Sequence, residues 1–252
     1  MKEESNMINT EITEKENLLS IITNIYKSVI KKYNDIFNQE GYLPTKKAQS
    51  SIVINGFTER NLTFNFCHSY LNLSKPNPDA PDAPNAIVWQ EVPFKNVKRQ
   101  HIDSIIIDKD NNWVIYIEAK RLYDIAHFEF LLDDLKRIKD RHSDIPLPLK
   151  HPTNKAIVLL ADHYYHGICD GKKYKDDYYD PFFTEEKIKA LPEIVEKYPT
   201  LANNLAEKIK TAEIRRVCND VPTISICGEN IYNINIKDEI IYSIYCGVYF
   251  ID

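Results

Sequence analysis

Two carboxylates and an amine stand close together in a segment whose other residues are mostly apolar. The run from His101 to Arg121, HIDSIIIDKDNNWVIYIEAKR, carries Asp103 in its first half and Glu118 with Lys120 in its second. Both halves are rich in Ile, Val, Tyr and Trp, side chains that suit a pleated surface, and the polar KDNN between them has turn character. Facing residues of an antiparallel hairpin share a constant index sum, so pairing Asp103 with Glu118 centres the turn between Asp110 and Asn111, in the middle of that polar run. Period-two alternation puts Val114, Tyr116, Glu118 and Lys120 on one face of the second strand and Trp113, Ile115, Ile117 and Ala119 on the other. Two acids and one amine are therefore expected to converge on one spot. Opposed like charges in apolar surroundings destabilise a sheet unless something compensates them. A hard divalent cation such as Mg²⁺ would do so, because it takes one or two carboxylates and completes its shell with water and phosphate oxygens.

The elements that must hold this hairpin can be read on either side of it. Residues 1–15 are polar and acidic and are expected to form a flexible tail. From Asn17 to about Asn38, Leu18, Ile21, Ile22, Ile25, Val29, Ile30, Tyr33, Ile36 and Phe37 keep helical spacing, and Gly41 supplies a stop. A second helix is expected after Asn55-Gly56, with Thr58 as its cap, Leu62, Phe66, Tyr70 and Leu73 as its stripe, and Glu59 on the stripe side. The prolines at 76, 78, 81 and 84 make the next segment an extended loop, and Glu91 lies in the strand-like IVWQEVPF that follows it. Beyond the hairpin, Leu122, Ile125, Leu132, Leu135 and Ile138 predict a helix, and the continuous apolar run KAIVLLAD from Lys155 to Asp162 predicts a strand buried on both faces, commonly a parallel one.

These residues resemble the PD-(D/E)xK nuclease superfamily, whose signature is an Asp at the start of one strand and Glu-x-Lys on the next. The match is Asp103 with Glu118, Ala119 and Lys120, and Ile102 stands where the motif's name has Pro. The resemblance implies an α/β (α+β) fold: a restriction-endonuclease-like αβββαβ core with a mixed central sheet, here preceded by an N-terminal helix and followed by a helical and β elaboration. It divides the chain into a tail at 1–15 and a single nuclease domain at 16–252, with the core at about 51–165 and the elaboration at about 166–252. It also implies Asp103, Glu118 and the backbone carbonyl of Ala119 as ligands of one or two Mg²⁺ ions, with Mn²⁺ able to substitute. Lys120 would orient or deprotonate a water, or neutralise the transition state. Many members carry an extra acid on the helix before the first core strand; Glu59 matches that place, and Glu91 competes with it. The implied reaction is hydrolysis of a phosphodiester, most often in double-stranded DNA, by a restriction or anti-phage defence endonuclease that can act as a homodimer. Two rivals stay open: a nuclease-fold binding module without catalysis, and a repair or recombination nuclease acting on branched or single-stranded DNA.

Composition bounds these readings. A chain of 252 residues can bury one sizeable core, and its net charge of -5 argues against nonspecific coating of nucleic acid while leaving room for local basic surface. Lys95, Lys98, Arg99, Arg121, Lys136, Arg137, Lys139 and Arg141 flank the hairpin and read as solvated cations. Five cysteines without paired spacing, no apolar leader and no apolar run of about 18 residues predict a reduced, cytoplasmic protein with no membrane partner. Gly167-x-x-x-Gly171-Lys172 is one residue too short for a phosphate loop and has Lys173 where Ser or Thr would bind the cation. His163, His166 and Cys169 have ligand-like spacing but no evident fourth partner, which leaves them as ordinary loop residues. The tyrosine- and lysine-rich stretch at 164–179 reads as a surface loop, and the C-terminal residues as two or three strands that either extend the sheet or form a subdomain.

Overall fold

The chain reverses at KDNN because its side chains satisfy the turn from within. In the computed structural model, Asp108 Oδ1 accepts from the Asn111 amide at 3.0 Å and its Oδ2 accepts from Asn111 Nδ2 at 2.8 Å. Asn112 takes a left-handed φ of 59°, a conformation that Asn tolerates better than most residues. Strands β2 (His101–Asp108) and β3 (Trp113–Arg121) run antiparallel from this turn, in a register that pairs Ser104 with Ile117 and Asp108 with Trp113. That is the register expected from the polar run. The structure describes residues 2–39, 59–73, 86–95, 100–122, 125–148, 151–166, 199–217, 223–226 and 240–251.

Among them the element order is α1 (Lys2–Gln39), α2 (Glu59–Leu73), β1 (Ala86–Pro93), β2, β3, α3 (Ile125–Arg141), a short 3₁₀ turn (His142–Asp144), β4 (Asn154–His166), α4 (Pro199–Ala212), β5 (Arg215–Arg216), β6 (Thr223–Ile226) and β7 (Ile240–Ile251). The strands form one mixed seven-stranded sheet in the order β1-β2-β3-β4-β7-β5, with β6 also on β7. β3 and β4 are parallel, joined through α3, and every other pairing is antiparallel. A parallel pair needs such a crossover, and burial by helices on both faces explains the unbroken apolar run of β4.

The helices divide between the two faces. Leu18, Ile22, Ile25, Leu62 and Phe66 of α1 and α2 pack with Ile115, Ile117, Ala119, Val158 and Leu160. Leu131, Leu135 and Ile138 of α3 and Leu205 of α4 pack with Val114, Tyr116, Ile157 and Leu159. β3 thus presents its odd positions to one helical layer and its even positions to the other, and Glu118 and Lys120 belong to the α3 side. Burial of each such Leu or Ile contributes about 1.5–3 kcal/mol.

Several boundaries differ from expectation. Helix α1 begins at Lys2, not near Asn17, because no Gly or Pro interrupts residues 2–39; its packed face still begins at Leu18. In α2, Leu73 is 55 % exposed and leaves the stripe that Leu62, Phe66 and Tyr70 complete. The helix after Lys120 starts at Ile125, since Arg121 still belongs to β3. The C-terminal strands extend the sheet: β7 pairs with β4 from Lys155↔Ile251 to His166↔Ile240. Thr58, Cys169 and the stretch from Gly167 to Lys172 lie outside the described residues, as do the side chains of His163 and His166. Among the described residues no helix is long and apolar enough to cross a membrane.

Candidate active site

The acids meet where the hairpin ladder ends. Pairing of β2 with β3 stops at Ser104↔Ile117, whereas β3 goes on pairing with β4 as far as Arg121↔Asp162. One residue beyond the last pair, Asp103 Oδ2 accepts a hydrogen bond from the Ala119 amide at 2.8 Å, so a carboxylate takes the place of the next backbone acceptor. A residue's N–H and C=O leave an extended strand by the same edge, which turns the Ala119 carbonyl toward Asp103 as well.

A matched irregularity makes this possible. β1 pairs with β2 at Gln90↔Ser104 and again at Val92↔Ile102, in one register, but Glu91 and Asp103 between them are unpaired. Strict alternation also slips there: Ile102 and Ile105 both face the α3 side, as Ile107 does. Glu91 adopts a left-handed φ of 53°, a conformation that costs a non-glycine residue about 1–3 kcal/mol. It is held by Arg60 Nε at 3.2 Å and His101 Nε2 at 2.6 Å. The register brings Glu91, Asp103 and Glu118 into one row across three adjacent strands.

Glu118 is buried, and the crossover helix reaches down to it. Arg137 Nη2 lies 2.6 Å from Glu118 Oε1, Arg137 Nη1 lies 3.0 Å from Asp134 Oδ1, and Asp134 Oδ2 lies 3.0 Å from Lys120 Nζ. The match of spacings is simple: two residues along a strand span about 6.6 Å and three along a helix about 4.5 Å, so side chains of moderate length bridge them. Asp103, Glu118 and Asp134 against Lys120 and Arg137 make three acids and two bases, an excess of one negative charge when all are ionised.

Both acids are raised. Burial, above all, pushes the Glu118 carboxyl well above the usual range, and the charges of Asp103 and Asp134 add to it against the pull of Arg137 and Lys120. Burial also raises Asp103, the Glu91 charge adds to it, and the Ala119 amide, Lys120 and the neighbouring Glu118 carboxyl oppose it. The two carboxyls thus stand close enough for each to act on the other's charge, and the chemistry available to such a pair is to share a proton or a cation.

Of the residues predicted from sequence, Asp103, Glu118, Ala119 and Lys120 come together. Glu59 is the first residue of α2, beside the Arg60 that reaches Glu91; its side chain lies outside the described residues. Asp134 and Arg137 were not anticipated as partners of the site. Asp134 carried a signal, since Leu131, Asp134, Leu135 and Ile138 follow i, i+3, i+4, i+7 spacing and put a charge inside an apolar stripe. Arg121 corrects the reading of solvated cations: on the opposite face it is buried, with Nε 3.0 Å from Asp162 Oδ1 and Nη2 2.6 Å from Oδ2.

Among the described residues no group of three or more His, Cys, Asp or Glu stands ready to hold a metal ion. Mg²⁺ does not require one, because it binds through one or two carboxylates and keeps several waters. Two neighbouring carboxyls beside a backbone carbonyl are hard oxygen donors that fit such an ion. No family model, curated protein or solved structure matches the chain.

Proposed function

We propose that the chain is a Mg²⁺-dependent phosphodiesterase of the PD-(D/E)xK type with a restriction-endonuclease-like core, acting on double-stranded DNA as a restriction or anti-phage defence endonuclease. One observation carries this reading: where β2 leaves β3, Asp103 Oδ2 accepts from the Ala119 amide at 2.8 Å, beside Glu118 and with Lys120 on the same face as Glu118. The element order α2-β1-β2-β3-α3-β4 supports the core, being helix, three strands, helix and strand with the last strand parallel to the third.

Asp103 and Glu118 would supply carboxylate oxygens, and Ala119 its backbone carbonyl, to Mg²⁺ or Mn²⁺. The cation would acidify a water and stabilise charge on the scissile phosphate. Lys120, on a side chain 25 % exposed, would orient that water, accept its proton or neutralise the crowded phosphate, and Asp134 fixes its position. Glu91 and Glu59 are the acids available for a second ion, and the row with Asp103 favours Glu91.

One observation favours the rival binding-module reading. Glu118 and Lys120 already have partners on α3, so the charges are balanced in part without a cation. A single assay separates the two. Purified protein is incubated with plasmid, linear and single-stranded DNA and with RNA, in Mg²⁺ and in chelator, beside Asp103→Ala and Lys120→Ala. Metal-dependent cleavage of duplex DNA that falls by about a hundredfold or more in both variants is the expected result. No cleavage of any substrate would favour the binding module, preference for branched or single-stranded DNA would favour repair, and equal cleavage by the variants would sink the site assignment.

A further inference from the structure

Arg137 holds one oxygen of a proposed metal ligand by a hydrogen bond, and a cation bound through that oxygen would displace it. Its Nη2 lies 2.6 Å from Glu118 Oε1, and its Nη1 lies 3.0 Å from Asp134 Oδ1. The third donor, Nε, is buried and has no hydrogen-bond partner among the described residues. An orphaned donor of this kind is costly, so the pose is one the guanidinium keeps for the sake of Glu118. The side chain is 25 % exposed and lies with its Cζ 5.7 Å from the centroid of the buried Phe94 ring, which offers a flat surface along which a planar guanidinium can slide.

We infer that Arg137 is the phosphate-binding residue of this site, held on Glu118 until a divalent cation takes that carboxylate and then turned toward the scissile phosphodiester. This rests on the reading of Asp103 and Glu118 as metal ligands. A cation there competes with Arg137 for one oxygen and repels its charge in a setting of low dielectric. The guanidinium keeps Asp134 as an anchor, and its released N–H groups suit the two oxygens of a phosphate. The same contact explains how Glu118 is tolerated without metal, and why Lys120 and Arg137 share Asp134 as an anchor between them.

The test uses Mn²⁺ binding, read by its electron spin resonance, and binding of a short DNA duplex in Ca²⁺, read by fluorescence anisotropy, on the full chain and on Arg137→Ala, Arg137→Gln and Arg137→Lys. Arg137→Ala should bind Mn²⁺ several-fold more tightly, since a competitor is gone, while its affinity for duplex in Ca²⁺ falls by about tenfold and the salt slope falls by about one. Arg137→Lys should recover part of the duplex affinity. Should Arg137→Ala fail to fold, Arg137→Gln keeps a donor for Glu118 without the charge and must show the same opposite changes. Tighter Mn²⁺ binding with unchanged duplex affinity would reduce Arg137 to a counter-ion and overturn the inference, as would unchanged Mn²⁺ affinity. If the unaltered chain itself binds no Mn²⁺ and cuts nothing, it is the metal-site reading that fails.

Discussion

At the scale of residues, the site is a balance between burial and charge. Asp103 is raised above its ordinary value and Glu118 well above its own, so over some range of pH the native state holds protons there that the unfolded chain has released. Stability that depends on these two groups is therefore greatest in acid and falls as the pH rises from the ordinary carboxylate range through their raised values, at up to about 1.4 kcal/mol per pH unit for each group. Melting in chelator should show this fall as the pH is raised from the ordinary carboxylate range. Glu118→Gln, which keeps the shape and an acceptor for Arg137, should flatten it and raise the neutral-pH melting temperature; a profile as steep as the original would contradict the raised carboxyl. Saturating Mg²⁺ at neutral pH should restore stability to the unaltered chain, by about 2.7 kcal/mol at a hundred times its Kd, and restore little to Glu118→Gln. On the opposite face, Arg121 and Asp162 form a buried bidentate pair of one base and one acid. Asp162→Ala removes the bidentate partner of a buried guanidinium and should cost about 3–5 kcal/mol in denaturant unfolding, and a loss below about 1 kcal/mol would show that water or another group replaces the carboxylate.

At the scale of elements, legibility tracks how local the causes are. The hairpin register could be read because alternation and a self-satisfying Asp-Asn turn act over a few residues, and Asp108 with Asn111 supplies that turn. The slip at Glu91 and Asp103 could not, since strict alternation is the assumption it breaks. Nor could the pairing of Arg121, whose partner is on a strand 41 residues away. The ends of α1 and α3 moved for a related reason: propensity carries a helix until a breaker stops it, while pairing with β4 keeps Arg121 in a strand against the helical pattern that follows. The slip also separates the two candidate acids. Glu91→Asn preserves a residue that tolerates the left-handed region and removes the carboxylate from the row; it should leave the melting temperature within a few degrees and lower cleavage by about tenfold. Glu59→Gln measured beside it ranks the two, and a larger loss for Glu59→Gln would move the second-ion role to the start of α2.

At the scale of the whole molecule, the site depends on a strand far from it in sequence. β7 is an interior strand, flanked by β4 on one side and by β5 and β6 on the other, and Ile244, Cys246 and Val248 close the core beneath α1 while Tyr245 belongs to the opposite core. Tyr26 of α1 donates a hydrogen bond to the carbonyl of Ile244, and Arg215 beside β7 pairs with Glu16 of α1 at 2.8 Å. The region beyond 166 was expected to be an elaboration on a core ending near 165, and a core of that extent would survive its removal. The sheet argues otherwise. Without β7, β4 would become a bare edge along Lys155 to His166, with its apolar residues uncovered beside the strand that carries Glu118 and Lys120. A chain ending before Ile240 should therefore aggregate or lose the cooperative melt of the full chain, and should not bind Mn²⁺. Recovery of a soluble, cooperatively folding fragment with intact Mn²⁺ binding would show instead that β1 to β4 with α2 and α3 form an independent unit, and that β7 joined a sheet already complete.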